Sequence, residues 1–314
     1  MVANPFLAPK ARPLVVGHRG IPTLHQENTL AGFRRAIALG VPAVELDVRL
    51  TADRRAVCVH DYNLERLTGT QANVSQLTWD RVSQLRIRRE LPMGIDAAGS
   101  EVIARYEREE PIPLLAEVLA EIAGRAAINV ELKITLPRWW QVAVGAVAAE
   151  EIVKARVEDR VIVTSFDPRK LLAATRVERE LAVGFCFDDS MLNFASPILD
   201  RLPIIATELA TLDRRPGLNG RTVLSRILEN GVVGRVLDTR VVGAEHTLVR
   251  EKTVERLHRQ GVAIGTHTLF PLGSTTGKPI AASSMIDGEV QRLVDLGVDW
   301  IETDDPERLL TLIG

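Results

Sequence analysis

Short β-branched runs alternate with longer amphipathic stretches through most of these 314 residues, and few folds accommodate that pattern. Strand candidates fall at 14–18, 43–48, 56–60, 127–132, 161–166, 182–187, 235–239, 262–266 and 300–303. Helical periodicity runs over 29–39, 115–123, 139–154, 168–178, 253–260 and 284–296. Strand–helix alternation implies βαβ units and a mostly parallel sheet. We expect an α/β chain forming a TIM-type (β/α)8 barrel, with a small insertion after the second/third strand region.

Nine strand candidates are one too many for an eight-stranded barrel. The second and third are joined by a link too short for a crossover helix, so they should pair as a hairpin turning near Asp53. That turn would set His60 roughly opposite Glu45 to Asp47. Boundary signals agree with this outline: Asn28 stands before the first helix, Gly40 after it, and Asp167-Pro168 where an N-cap and an N1 proline belong. Residues 61–110 and 189–232 break the alternation. Long irregular stretches in a compact domain are usually functional loops, so both are expected as insertions on one domain over 1–314, the first above the barrel mouth.

A net charge of −2 leaves no broad basic surface for nucleic acid, so any phosphate must be held locally. Cys58 and Cys186 lie in apolar runs without a CxxC and read as buried thiols. The N-terminus lacks the apolar core of a signal peptide, and the best membrane candidate, 141–153, is cut by Glu150 and Glu151. A cytoplasmic protein acting on a small molecule is expected. No membrane span or nucleic-acid partner is called for, and a homo-oligomer is left open.

Chemistry concentrates at strand ends, where barrels of this type build their active sites. His18-Arg19-Gly20 ends the first strand, pairing an imidazole that can transfer protons with a guanidinium that can clamp phosphate. Glu45-Leu46-Asp47 ends the second, and the i, i+2 spacing puts both carboxylates on one face. Two like charges side by side call for a cation, and oxygen donors favour Mg2+, Ca2+ or Mn2+. Glu131 can add a third ligand and Lys133, on the same face, can balance phosphate charge. His60-Asp61 closes the third run. Singly, ELD reads more often as an exposed polar edge and His60 as a core histidine. Four such motifs at strand ends point instead to one catalytic surface.

The sequence resembles the glycerophosphodiester phosphodiesterase family. The matching stretches are HRG (18–20), ENT (27–29), ELDVRLTADRRAVCVHDYNLERLT (45–68), EPIPLLAEVL (110–119), NVELK (129–133), TSF (164–166) and GVDWIETDDP (297–306). The resemblance implies metal-dependent hydrolysis of glycerophosphodiesters to an alcohol and sn-glycerol 3-phosphate. It implies His18 and His60 as the catalytic pair and Glu45, Asp47 and Glu131 as ligands of a divalent metal, Mg2+ or Ca2+. Arg19 and Lys133 would contact phosphate. Glu27, singled out only by the resemblance, would support His18 or the metal shell.

The chain departs from the family at named places. Gly265-Thr266-His267-Thr268 stands where many relatives have Trp-Thr-Val-Asn, Trp300 where glycine is usual, and Gln26 where proline precedes ENT. Trp300 could refill space at the substrate pocket, and His267 reads as a strand-end histidine. Two alternatives are a lysophospholipase D-like or phospholipase C-like enzyme, marked by an apolar groove from Leu91, Met93, Ile95 and Tyr106, and a non-catalytic phosphodiester-binding module. An amidohydrolase would carry HxH on the first strand, which is absent.

Overall fold

A computed structural model describes residues 4–122, 124–134, 142–188, 239–274 and 280–314. Eight parallel strands close on themselves: β1 (Leu14–Gly17), β2 (Ala43–Leu50), β8 (Ala127–Leu132), β9 (Val161–Ser165), β10 (Ala182–Phe187), β11 (Val241–Glu245), β12 (Ala263–Leu269) and β13 (Trp300–Thr303). Closure comes from β1 pairing with both β2 and β13. The ninth strand, β3 (Ala56–Cys58), runs antiparallel to β2 outside the ring, as the short link requires, with Val48 opposite Cys58. The expected strand at 235–239 falls almost wholly outside the described residues, and the barrel strand there begins at Val241.

Alternation along each strand sorts side chains between two cores. On β2, Val44, Leu46 and Val48 pack outward against the helices, while Ala43, Glu45 and Asp47 face the barrel interior. At the N-terminal end the interior is sealed by one residue from each of the eight strands: Val16, Ala43, Ala127, Ile162, Ala182, Val241, Ala263 and Trp300, with Phe6 edge-on to Trp300. Trp300 therefore fills the floor of the barrel and does not line the mouth, contrary to the expectation that it refills the substrate pocket. Its register partner is Gly265, where an added Cβ would lie 1.8 Å from the indole. The indole missing at position 265 has in effect moved to the neighbouring strand in the same layer. Trp300→Ala should cost about 3–5 kcal/mol in a urea melt. Gly265→Trp in a Trp300→Gly background should recover part of that loss.

The helices follow the expected periods: α1 (Leu30–Ala38), α4 (Leu115–Ile122), α5 (Ala143–Ala155), α6 (Pro168–Val177), α7 (Glu251–Arg259), α8 (Asp287–Leu296) and a terminal α9 (Pro306–Ile313). The N-cap of α1 is Thr29, whose hydroxyl accepts from Gly32, and not Asn28. Asp167 caps α6, with Pro168 at N1.

Residues 61–110 hold short elements: α2 (Glu65–Thr68), α3 (Trp79–Val82), and two antiparallel pairs, β4 (Arg86–Ile87) with β7 (Glu110–Pro111) and β5 (Glu90–Ile95) with β6 (Glu101–Arg105). They enclose an apolar cluster of their own that includes Leu64, Leu67, Ile87, Leu91, Met93 and Tyr106. Three of the four residues expected to form a greasy groove, Leu91, Met93 and Tyr106, are thus buried inside this unit. The unit is clipped to the loop after β1: Tyr106 Oη donates to Pro22 O at 2.7 Å, and Gln26 Nε2 to Arg88 O at 3.3 Å. Gln26, in place of the family's proline, supplies a tether that proline could not. Residues 189–232 lie outside the described residues.

Candidate active site

Every site residue expected from the sequence sits at the C-terminal end of the barrel. The His18 N–H extends the β1–β13 ladder to Thr303 O, and its Nδ1 lies 2.6 Å from Asp304 Oδ1. Asp304 is held in turn by the Leu272 N–H on its other oxygen, at 2.8 Å. This arrangement fixes the imidazole and leaves Nε2 toward the interior, 3.9 Å from Glu45 Oε2.

Two non-glycine residues take the left-handed conformation beside it, Arg19 (φ 53) and Asn28 (φ 57). Such residues are uncommon and cluster where the surrounding structure dictates them. Here the reasons are visible. The turn at Arg19 aims its N–H at Glu45 Oε2, at 2.8 Å. The turn at Asn28 lets its amide grip Asp47 twice, donating to Oδ2 at 2.8 Å and accepting from the Asp47 N–H at 2.9 Å. The three residues of ENT thus divide the work: Glu27 binds arginines, Asn28 orients Asp47, and Thr29 caps α1.

Glu45 and Asp47 are almost wholly buried, and oxygens of Glu45, Asp47 and Glu131 lie within 4.8 Å of one another. Glu45 Oε1, Asp47 Oδ1 and Glu131 Oε1 are all buried without a hydrogen bond of proper geometry. Lys133 Nζ approaches Glu131 Oε1 at 2.8 Å and Asp47 Oδ1 at 3.2 Å, and Arg19 Nε stands 3.2 Å from Asp47 Oδ2. Burial alone would push Asp47 up, but Lys133 and Arg19 outweigh it and hold its carboxyl well below the usual range. Glu45 has no such help: burial, then repulsion from Asp47, Glu302 and Glu131, push it well above the usual range despite Arg19. Three converging, buried carboxylate oxygens, two of them held only by Lys133 and the third, Glu45 Oε1, with no hydrogen-bond partner, suit a hard divalent cation. The residues present fit a metal ion.

His60 follows β3, with Nδ1 2.9 Å from Asp61 Oδ1. Asp61 is clamped by Arg66 (Nε to Oδ2, 2.6 Å), which also reaches Glu27 Oε1 at 2.8 Å. Glu27 shares that oxygen with Arg19 Nη1 at 3.2 Å. Glu27 therefore holds the two arginines in place. Burial pushes the His60 imidazole down to about 4, with Arg19 and Lys133 acting the same way and Asp47 and Asp61 opposing.

Sequence reasoning passed over Asp304, Arg66, Asn129 and Glu302. Glu302 accepts from Asn129 Nδ2 at 2.7 Å and from Trp300 Nε1 at 3.3 Å, which ties the barrel floor to the site. The register Gly17 with Thr303 puts Asp304 beside His18, but that follows only once the ring closes. His267 is within β12, not at its end. It shares the interior face with Gly265, stands edge-on to Phe166 at 5.9 Å, and buries an unpartnered Nε2. Trp139 and Trp140 lie outside the described residues.

Carboxylates gathered for a cation, with an arginine, a lysine and two fixed imidazoles around them, equip this barrel mouth for hydrolysis of a phosphodiester. Residues 18–308 match the Glycerophosphoryl diester phosphodiesterase family, and the chain belongs to that family. A glycerophosphodiester phosphodiesterase of Bacillus altitudinis is 26% identical over 304 residues, covering 95% of this chain and 97% of the relative. One from Caldanaerobacter subterraneus subsp. tengcongensis is 30% identical over 187 residues, 58% of this chain and 70% of the relative. Among solved structures, a phosphodiesterase of Oleispira antarctica in complex with the product sn-glycerol-3-phosphate shares the fold at TM-score 0.65. Identity there is 20%, over 96% of this chain and 97% of that one. Among the described residues, no helix is long and apolar enough to cross a membrane.

Proposed function

We propose that this chain hydrolyses glycerophosphodiesters to an alcohol and sn-glycerol 3-phosphate, using a divalent metal and the His18–His60 pair. The observation that carries the reading is the convergence of three buried carboxylate oxygens from Glu45, Asp47 and Glu131. When bound there, Mg2+, Ca2+ or Mn2+ supplies charge neutralisation and Lewis acidity toward a nonbridging phosphate oxygen. Arg19 and Lys133, already drawn to the carboxylates, provide the remaining positive charge for the phosphate.

His60, held neutral by its surroundings, is suited to take the proton from the attacking hydroxyl. Arg66 neutralises Asp61, so Asp61 orients the ring without making it strongly basic. By elimination His18 is the acid. Its Nδ1 is committed to Asp304, so Nε2 is the nitrogen that delivers a proton to the leaving alcohol oxygen. Residues 61–110 cover the mouth of this single domain from the side of the β1 loop.

The test is a panel of glycerophosphocholine, glycerophosphoethanolamine, glycerophosphoinositol and lysophosphatidylcholine, assayed with each metal. Metal-stimulated release of sn-glycerol 3-phosphate from the water-soluble diesters is the expected result. No release from any of them, with any metal, would remove the proposal.

A further inference from the structure

Beside the carboxylate centre, with Lys133 in the shared wall, lies a cavity of about 340 Å3. Arg49, Arg54, Lys133 and Lys170 line it, Thr51 and Ser75 add hydroxyls, and no carboxylate is among its described lining residues. Its place follows from the fold. The tip of the β2–β3 hairpin brings Thr51 and Arg54, and the first turns of α5 and α6 close the opposite side. The first turn of α5 has no side-chain cap, so its N–H groups add to the positive end.

Two of the cations, Arg49 and Lys170, are anchored before any ligand arrives. Arg49 is 8% exposed and donates from Nε to His60 O at 2.8 Å and from Nη1 to Ile134 O at 2.9 Å. Lys170 is 2% exposed and donates to Lys133 O. Asp167, one turn before Lys170, is taken in bidentate fashion by Arg169 at 2.8 and 2.6 Å. Lys133 already faces Glu131 and Asp47, so Arg49 and Lys170 are the buried cations whose charge an anion in this cavity would balance.

We propose that this cavity is a second oxyanion site, shaped for a phosphate group. The phosphate is either carried on the alcohol side of the diester, a reading that rests on the proposed hydrolysis, or is free inorganic phosphate. Arginine forks and lysine point charges are the side chains that recognise phosphate, and the fixed positions of Arg49 and Lys170 lower the ordering cost of binding.

Calorimetric titration of inorganic phosphate into the full-length protein tests the site, with metal and then with chelator. Wild type should keep one phosphate equivalent in chelator, because the cavity needs no metal. Arg54→Gly, at a φ of 61 that suits glycine, should weaken that binding about 10-fold. Lys170→Met should do the same. Absence of chelator-resistant binding in wild type, or unchanged affinity in Arg54→Gly, overturns the proposal. The source of the phosphate is read from kcat/KM. A loss of about 10-fold in Arg54→Gly for a diester with a phosphorylated alcohol, but not for glycerophosphoethanolamine, identifies a substrate group. Loss of phosphate binding with both substrates unaffected identifies free phosphate. If wild type turns over neither diester, the hydrolytic reading fails while the titration still decides the cavity.

Discussion

His60→Ala should lower kcat by about 10^2- to 10^4-fold while leaving the thermal midpoint close to that of wild type, and His18→Ala should do the same. The expectation rests on geometry that leaves neither ring a substitute. His60 is the imidazole held neutral, and His18 presents Nε2 because Asp304 holds Nδ1. The pH profile carries a second signature. His60 takes up its proton only near about 4, so with metal kept saturating the acidic limb of kcat/KM should fall as pH drops toward that value and not near 6.5, where an ordinary imidazole titrates. Stability should change in the same direction. Between about 4 and 6.5 the unfolded chain binds a proton that folded His60 refuses, so stability is full above this window and declines as pH falls through it. His60→Ala should flatten that decline. Retained turnover in either alanine variant would sink the acid/base assignment. Asp304→Asn offers a graded check, since it should lower kcat with little change in KM by disturbing the His18 tautomer.

Much of this centre was legible because strand alternation is so strict. In AVELDVRL the apolar residues alternate with Glu45 and Asp47, and AINVEL repeats the pattern with Asn129 and Glu131. Period-two alternation in a closed barrel leaves such carboxylates nowhere to point but inward. The short link after Leu50 likewise required β3 to fold back and bring His60 to the same end. What escaped was long-range. Asp304 meets His18 across 286 positions of sequence, and Arg66 reaches Glu27 across 39, so neither pairing follows from local spacing. In RVLDTRVVGAE two apolar runs stand close together, Val236-Leu237 and Val241-Val242, and periodicity alone does not choose between them; the barrel strand among the described residues takes the second. By contrast, α9 carries the same Asp-Pro start signal that marked α6, at Asp305-Pro306, and could have been read. The short strands of 86–111 were hidden because a small satellite core orders them, with no repeating pattern of their own.

Removing the metal should be as damaging as removing a histidine, and Glu45→Gln should separate the cation's contribution from folding. A cation worth several kcal/mol of transition-state stabilisation implies that chelation costs about 10^3-fold in rate or more. Glu45 is the informative ligand, because burial and its three acidic neighbours already resist its ionisation. Binding a cation must expel that proton, so metal affinity should climb with pH and proton release should accompany binding. In Glu45→Gln the carbonyl can still accept the Arg19 N–H, while the like-charge repulsion is gone. The metal-free variant should therefore melt no lower than metal-free wild type. Addition of Mg2+, Ca2+ or Mn2+ at 100 times its Kd should stabilise wild type by about 2.7 kcal/mol and the variant by far less. Equal metal-induced shifts in the two proteins would mean that the ion sits elsewhere, and the three converging oxygens would then need another explanation.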